Sequence, residues 1–90
     1  MINMMYPYMT LADETEIVHS QIIEENGKKK VIVHFERPTE NGFDTIIFEL
    51  PSYNIVKQEG NYSKKEIEMF KSVVERGASY FFETAQKREY

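Results

Sequence analysis

The chain has 90 residues, a net charge of −4, 41% hydrophobic residues and no cysteine. This length predicts one domain over residues 1–90 with a small core, and the lack of cysteine excludes disulfides, thiolate metal sites and a cysteine nucleophile. No apolar run reaches the ~20 residues that a membrane-spanning helix needs, and no secretory signal opens the chain. The negative charge disfavours nucleic-acid binding. We therefore expect a cytoplasmic protein with no membrane contact.

A short hairpin around Asp13-Glu14 is predicted first, followed by two β-branched runs that flank Asn26-Gly27. Asn-Gly is typical of a type I′ turn, because both residues tolerate positive φ angles. If pairing continues residue by residue away from that turn, His19 lies directly opposite His34. This register also collects apolar side chains on one face and pairs opposite charges at its ends, which favours it along the whole hairpin.

The next strand, within residues 43–50, alternates in the same way and is predicted to pair antiparallel with residues 31–37. Two registers are open. A two-residue turn at the second Asn-Gly would pair His34 with Glu49, whereas a wider loop would pair His34 with Ile47. Both registers keep the same side chains on the same faces.

The last third of the sequence has helical periodicity. Ser63 and Glu66 form the pattern of a capping box. Apolar residues then recur at spacings of three and four, on one face of a helix over 64–87: Ile67, Phe70, Val74, Ala78, Phe81 and Ala85. We predict an α+β fold, an antiparallel β-meander of three to five strands within residues 8–57, packed on one face by a single long C-terminal helix.

One helix can cover only one face of such a sheet. We expect it to cover the face that carries Phe35 and Phe48. The predicted register leaves Ile17, Ile32 and Ile47 on the opposite face, and Glu36 lies among them. Contiguous apolar residues with interspersed polar ones are typical of protein–protein interfaces. These four residues are therefore the predicted interface, either of a homodimer or with another protein.

The same face would hold His19 and His34 side by side, with Glu49 in their row if the second turn is tight. Two imidazoles and a carboxylate can ligate a divalent metal. The alternative, which we favour, is that these polar residues simply occupy the less buried face. The sequence has no phosphate loop, nucleophile elbow or metal-binding helix motif. We therefore predict no catalytic residue, cofactor or metal, and keep His19, His34 and Glu49 only as the metal candidates.

The segments "YMTLADETEIVHS", "VHFERPTENGFD" and "LPSY" resemble a family of short proteins carried on conjugative transposons and related mobile elements of Gram-positive bacteria. The resemblance covers nearly the whole chain in order. It implies a bacterial, cytoplasmic setting and an accessory role in the mobile element. It assigns no activity and no functional residue. Glu14 stands where a turn glycine is expected, which predicts a looser first hairpin.

Three functions follow as hypotheses. The first is a non-enzymatic protein–protein interaction module of a mobile genetic element. The second is a small metal- or ligand-binding domain centred on His19 and His34. The third is a nucleic-acid-associated regulator, which the net charge of −4 disfavours.

Overall fold

A computed structural model of the chain describes residues 5–87. Within these residues, six strands form one sheet and one helix follows them. The elements are β1 (Met5–Thr10), β2 (Glu16–Ser20), β3 (Ile23–Glu25), β4 (Lys28–Thr39), β5 (Gly42–Leu50), β6 (Asn54–Glu59) and α1 (Lys64–Lys87). The sheet starts three residues before the predicted range and ends two residues after it. This is the predicted α+β fold, with six strands where three to five were predicted.

The sheet is an antiparallel meander in the order β1-β2-β4-β5-β6, and β3 pairs with β4 beyond the end of β2. Apart from β2 and β3, which both pair with β4, consecutive strands pair with each other, as short connections favour. β1 and β6 are the edges. α1 packs across β4, β2 and β5 on one side only.

The β4–β5 pairing settles the choice between the two predicted registers. His34 pairs with Ile47, and Glu49 pairs with Ile32. The wider-loop register is therefore confirmed, and the register that placed Glu49 opposite His34 is wrong. Side chains alternate between the faces along both strands, as expected.

The turn between β3 and β4 has the predicted geometry. Asn26 and Gly27 have φ angles of 54° and 76°, both in the left-handed region that a type I′ turn requires. Next to the turn Glu24 pairs with Lys29, as predicted. The predicted register is therefore correct for β3.

It is wrong for β2. Between the paired positions His19 and Ile23 the chain has three residues, whereas β4 has two between their partners Val33 and Lys30. The chain therefore carries one extra residue here, and His19 pairs with Val33. The Ser20 hydroxyl fills the irregularity, because it accepts a hydrogen bond from the Ile32 amide (3.0 Å) and donates one to the following carbonyl (2.7 Å). Since side chains alternate between faces, a shift of one residue turns β2 over.

α1 starts at the predicted capping box. The Ser63 amide donates to the Glu66 carboxylate (2.9 Å), and the Glu66 amide donates to the Ser63 hydroxyl (3.1 Å). These bonds satisfy two backbone donors that the first helical turn leaves unpaired. The negative charge of Glu66 also suits the positive end of the helix dipole.

The core lies between α1 and the sheet. Phe35 of β4 stacks on Phe70 of the helix, with ring centroids 4.4 Å apart, and meets Phe48 edge-on at 5.6 Å. Phe35 and Phe48 are completely buried, as predicted. The other fully buried apolar side chains are Ile17, Val31, Val33, Ile46, Leu50, Phe70, Val74, Phe81 and Ala85.

Candidate interaction surface

The side of the sheet that faces away from α1, here called the open face, carries side chains in rows that cross the strands. Residues directly opposite each other in a pair project to the same face. The central row takes one residue from each of five strands: Pro7, Val18, His34, Ile47 and Lys57. Ile32 lies two residues from His34 on β4. Val18, Ile32 and Ile47 are half-buried.

Three of the four predicted interface residues lie on this face. Ile32, Ile47 and Glu36 project from it as the alternation requires. Ile17 does not, because the irregularity after β2 turns its side chain under α1, where it is 0% exposed. The prediction for Ile17 is therefore wrong, and Val18 occupies the open-face position instead.

His19 lies on the same face of β2 as Ile17 and is also completely buried. Its Nδ1 lies 2.8 Å from the Ser20 carbonyl oxygen, which can only accept, so Nδ1 carries a proton and donates. The imidazole packs among aromatic rings, with centroids 5.7 Å from Tyr6 and 5.5 Å from Phe81. His19 is thus a core residue on the helix-covered side.

The proposed metal row is therefore not formed. His19 and His34 lie on opposite faces of the sheet, and Glu49 pairs with Ile32. Among residues 5–87 no group of three histidine, aspartate or glutamate side chains is arranged to hold a metal ion. The prediction that the two histidines are cross-strand neighbours is wrong, for the reason given for β2.

His34 lies at the middle of the open face. Its Nδ1 is 3.6 Å from the nearer Glu36 carboxylate oxygen. Burial lowers the pKa of His34 below its ordinary value of 6.5, and Lys57 lowers it further, while Glu36 acts in the opposite direction. Because burial is the largest influence, we expect His34 to be mainly neutral at pH 7. The centre of the open face then has little charge.

One end of the open face is acidic. A cleft there, here called the acidic cleft, is lined by Thr10, Glu14, Glu16, Glu36, Pro38 and Phe43. Glu16 and Glu36 are directly opposite each other across β2 and β4. Like charges in that position destabilise a sheet. Phe43 is 61% exposed beside them.

The other end is rich in lysine. A second cleft, here called the lysine cleft, is lined by Glu25, Asn26, Lys28, Lys29, Lys30, Glu49, Pro51 and Ser52. The Lys30 ammonium lies 3.1 Å from Glu25 and 3.4 Å from Glu49. Lys28 is exposed and forms no ion pair with any residue in 5–87. Lys29 projects to the other face, so two lysines and two glutamates balance on the open face. Because Lys30 is held by both glutamates, Lys28 is the ammonium left unpaired at this end among residues 5–87.

An ion-pair network that was largely missed at the sequence level lies on the helix-covered side. It is called the Arg37 cluster and consists of Arg37, Asp13, Asp44, Tyr62 and Glu66. Arg37 donates to Asp44 and Glu66 at 2.8 Å each and to Asp13 at 3.2 Å, and its guanidinium carbon lies 4.4 Å from the Tyr62 ring centroid. The hydrogen bond from Arg37 lowers the pKa of Asp44, and the same bond raises the pKa of Arg37.

The loop before α1 closes tightly on this network. The Asn61 amide donates to Asp44 at 3.1 Å. Gly60 has φ +98°, and a Cβ there would stand 2.8 Å from the Asp44 Cα, so that only glycine fits without a shift. The Arg37 cluster therefore joins the first turn, the sheet and the start of α1, which is a structural role.

Comparison with known proteins found no match: no family model, curated protein or solved structure is significantly similar to this chain. Within residues 5–87, α1 is not apolar enough to cross a membrane, and no other helix is present there.

Proposed function

We propose that this protein is a non-enzymatic protein–protein interaction module that associates through its open face, with a second copy of the chain as the simplest partner. One observation carries the proposal. α1 covers only one side of the sheet, while Val18, Ile32 and Ile47 stay partly accessible on the other. Apolar side chains with polar residues between them, grouped on one surface, are typical of interfaces.

The size of this face supports a weak association. Five strands ~4.8 Å apart and a central length of ~20 Å give a flat area of roughly 450 Å², below the ~800 Å² that each partner buries in a standard interface. Fully burying an isoleucine stabilises by about 1.5–3 kcal/mol, and half-buried side chains gain less. Since association costs rigid-body freedom, we expect a dissociation constant on the order of micromolar.

The other two hypotheses have less support. A metal- or ligand-binding site centred on His19 and His34 loses its geometric basis, because the two imidazoles lie on opposite faces. For a nucleic-acid-associated role, the lysine cleft is a candidate surface, but it also contains Glu25 and Glu49, which phosphate groups would repel. Neither alternative has an observation that favours it over the open face.

The biological setting is part of the same proposal. The resemblance described above suggests an accessory protein of a bacterial mobile element that acts in the cytoplasm. An interaction module suits this role, because it needs no cofactor. Its task is to hold itself or another protein in an assembly.

Sedimentation equilibrium over a wide concentration range tests the proposal. We expect the average mass of the wild type to rise with concentration and that of Ile47→Lys to remain monomeric, because an ammonium group would be buried in the interface. The matched control is Met69→Lys, which places the same charge on a half-exposed apolar residue of α1. It should associate like the wild type.

Circular dichroism and a thermal melt establish that both variants are folded, and Ile47→Thr provides a milder change at the same position if the lysine variant is not. A wild type that stays monomeric at hundreds of micromolar contradicts the homodimer. Association by Ile47→Lys equal to that of the wild type places the interface away from the open face.

A further inference from the structure

We infer that the second copy binds with its strands reversed, so that the acidic cleft of each copy meets the lysine cleft of the other. This inference rests on the proposed function and adds the orientation of the partner and the charges that select it. It follows from how charge is distributed along the open face, which the apolar residues alone do not determine.

The acidic cleft contains no positive charge from residues 5–87, the part of the chain that the structure describes. Glu14, Glu16 and Glu36 line it, and no basic residue does. Glu16 and Glu36 face each other across neighbouring strands, where like charges repel. Within residues 5–87 Glu16 forms no ion pair, and the contact of Glu36 with His34 at 3.6 Å depends on protonation of the histidine. An ammonium group from outside would relieve this repulsion.

The lysine cleft can supply that group. Lys28 lies at the start of β4 with an exposed side chain and no ion pair to any described residue. Lys30 is already held between Glu25 and Glu49. Lys28 is therefore the ammonium most available to a second copy.

The geometry of the strands connects the two clefts. Lys28 and Glu36 lie on the same strand and the same face, eight residues apart, which corresponds to ~26 Å. Ile32 is midway between them. A two-fold axis that passes near Ile32, parallel to the sheet and perpendicular to its strands, exchanges the two ends. It would bring each acidic cleft over the partner's lysine cleft, and the apolar centre of one face over that of the other.

The alternative two-fold axis runs parallel to the strands. It would place each acidic cleft on the partner's acidic cleft and each lysine cleft on its own copy. Juxtaposed like charges oppose association, so the charge distribution selects the reversed arrangement.

Charge reversal at two positions tests the orientation. Glu16→Lys and Lys28→Glu are suitable because neither residue forms an ion pair with a described part of its own chain. In the reversed arrangement each single variant places like charges together at both ends. We expect each to raise the dissociation constant at least ~10-fold. The double variant restores both contacts and should bind within about threefold of the wild type.

Mixing the two single variants provides a second measurement, because a heterodimer of Glu16→Lys with Lys28→Glu has opposite charges at both ends. We expect it to form more tightly than either homodimer. The matched control, Glu68→Lys, reverses an exposed charge on α1 and should leave the dissociation constant unchanged. Raising the salt concentration should weaken the wild-type dimer.

The possible failures are distinguishable. If Ile47→Lys abolishes association but both single charge reversals bind like the wild type, the proposed function stands and the reversed orientation is wrong. In the alternative orientation each cleft meets its own copy, so reversing a charge replaces one like-charge contact with another. If the wild type does not associate at any concentration, the homodimer and this inference are both overturned. A double variant as weak as the single variants also contradicts the pairing of the two clefts.

Discussion

The two faces of the sheet are built from the same strands, but α1 covers only one of them. On the helix-covered face Phe35 and Phe48 are completely buried against α1. On the open face Ile47 and Ile32 are only half-buried. The difference shows that alternation along a strand produces two surfaces, and that the position of the helix decides which of them becomes the core.

The largest expected effect separates the faces directly. Phe35→Ala and Phe48→Ala should each lower the free energy of unfolding by about 3–5 kcal/mol, because a fully buried ring leaves a cavity. Urea unfolding followed by circular dichroism measures this. Changes below about 1 kcal/mol at both sites would mean that the core face is assigned wrongly.

The Arg37 cluster should be next in size. Arg37→Ala removes every hydrogen bond that joins Asp13, Asp44 and Glu66, and leaves their negative charges close together. We expect the urea midpoint to fall by less than for Phe35→Ala but clearly more than for the control Lys57→Ala, which removes an exposed ion pair.

Arg37→Lys should lie between these two variants, because an ammonium group lacks the planar donors that reach three carboxylates at once. Equal midpoints for Arg37→Ala and Lys57→Ala would show that the network adds nothing to stability.

The open face should respond weakly to truncation. Ile47→Ala is expected to lower the free energy of unfolding by about 1 kcal/mol, since a half-buried side chain has less contact to lose. The free energy of unfolding should be measured at low protein concentration, where association does not contribute to it. A loss as large as that of Phe48→Ala would indicate that the open face is packed like a core within one chain.

The smallest expected effect is on pH dependence. Because burial lowers the pKa of His34 in the folded protein, the unfolded chain takes up this proton more readily. The contribution of His34 is fully present above about pH 6.5 and declines as the pH falls from there towards the folded pKa. His34→Gln should therefore lose less stability between pH 7 and pH 5 than the wild type does. Identical pH profiles would contradict this assignment.

Much of the fold could be predicted because several signals agreed. The capping box at Ser63 and Glu66, the apolar stripe of α1 and the Asn26-Gly27 turn each specify local structure through nearby residues. The alternation in β4 and β5 also assigned the faces correctly in either register. These features depend on short-range chemistry that the sequence states directly.

The orientation of β2 could not be predicted in the same way. Both alternating sets of side chains in this segment contain apolar residues. Either Ile17 with His19 or Val18 with Ile22 could therefore have faced the core. The observed orientation is accompanied by one extra residue after β2 and by a hydrogen bond from the Ile32 amide to the Ser20 hydroxyl. The alternation of apolar and polar residues does not predict such an irregularity. The one-residue shift places His19 in the core and Val18 on the open face.

The Arg37 cluster was missed for a different reason. The wider-loop register pairs Arg37 with Asp44, as observed. Its contacts with Asp13 and Glu66 bridge 24 and 29 residues of sequence. Such contacts depend on how the first turn and the helix meet the sheet, which only the tertiary fold determines.

The reach of Arg37 has a consequence for the kinetics of folding. Its bonds to Asp13 and Glu66 can form only after the first hairpin, the central strands and α1 have come together, which is late in folding. We therefore expect Arg37→Ala to accelerate unfolding and to leave the refolding rate nearly unchanged. Stopped-flow measurements in urea separate the two rates, and an equal slowing of refolding would place this network in the transition state. If only unfolding accelerates, the Arg37 guanidinium prolongs the lifetime of the native state without helping it to form.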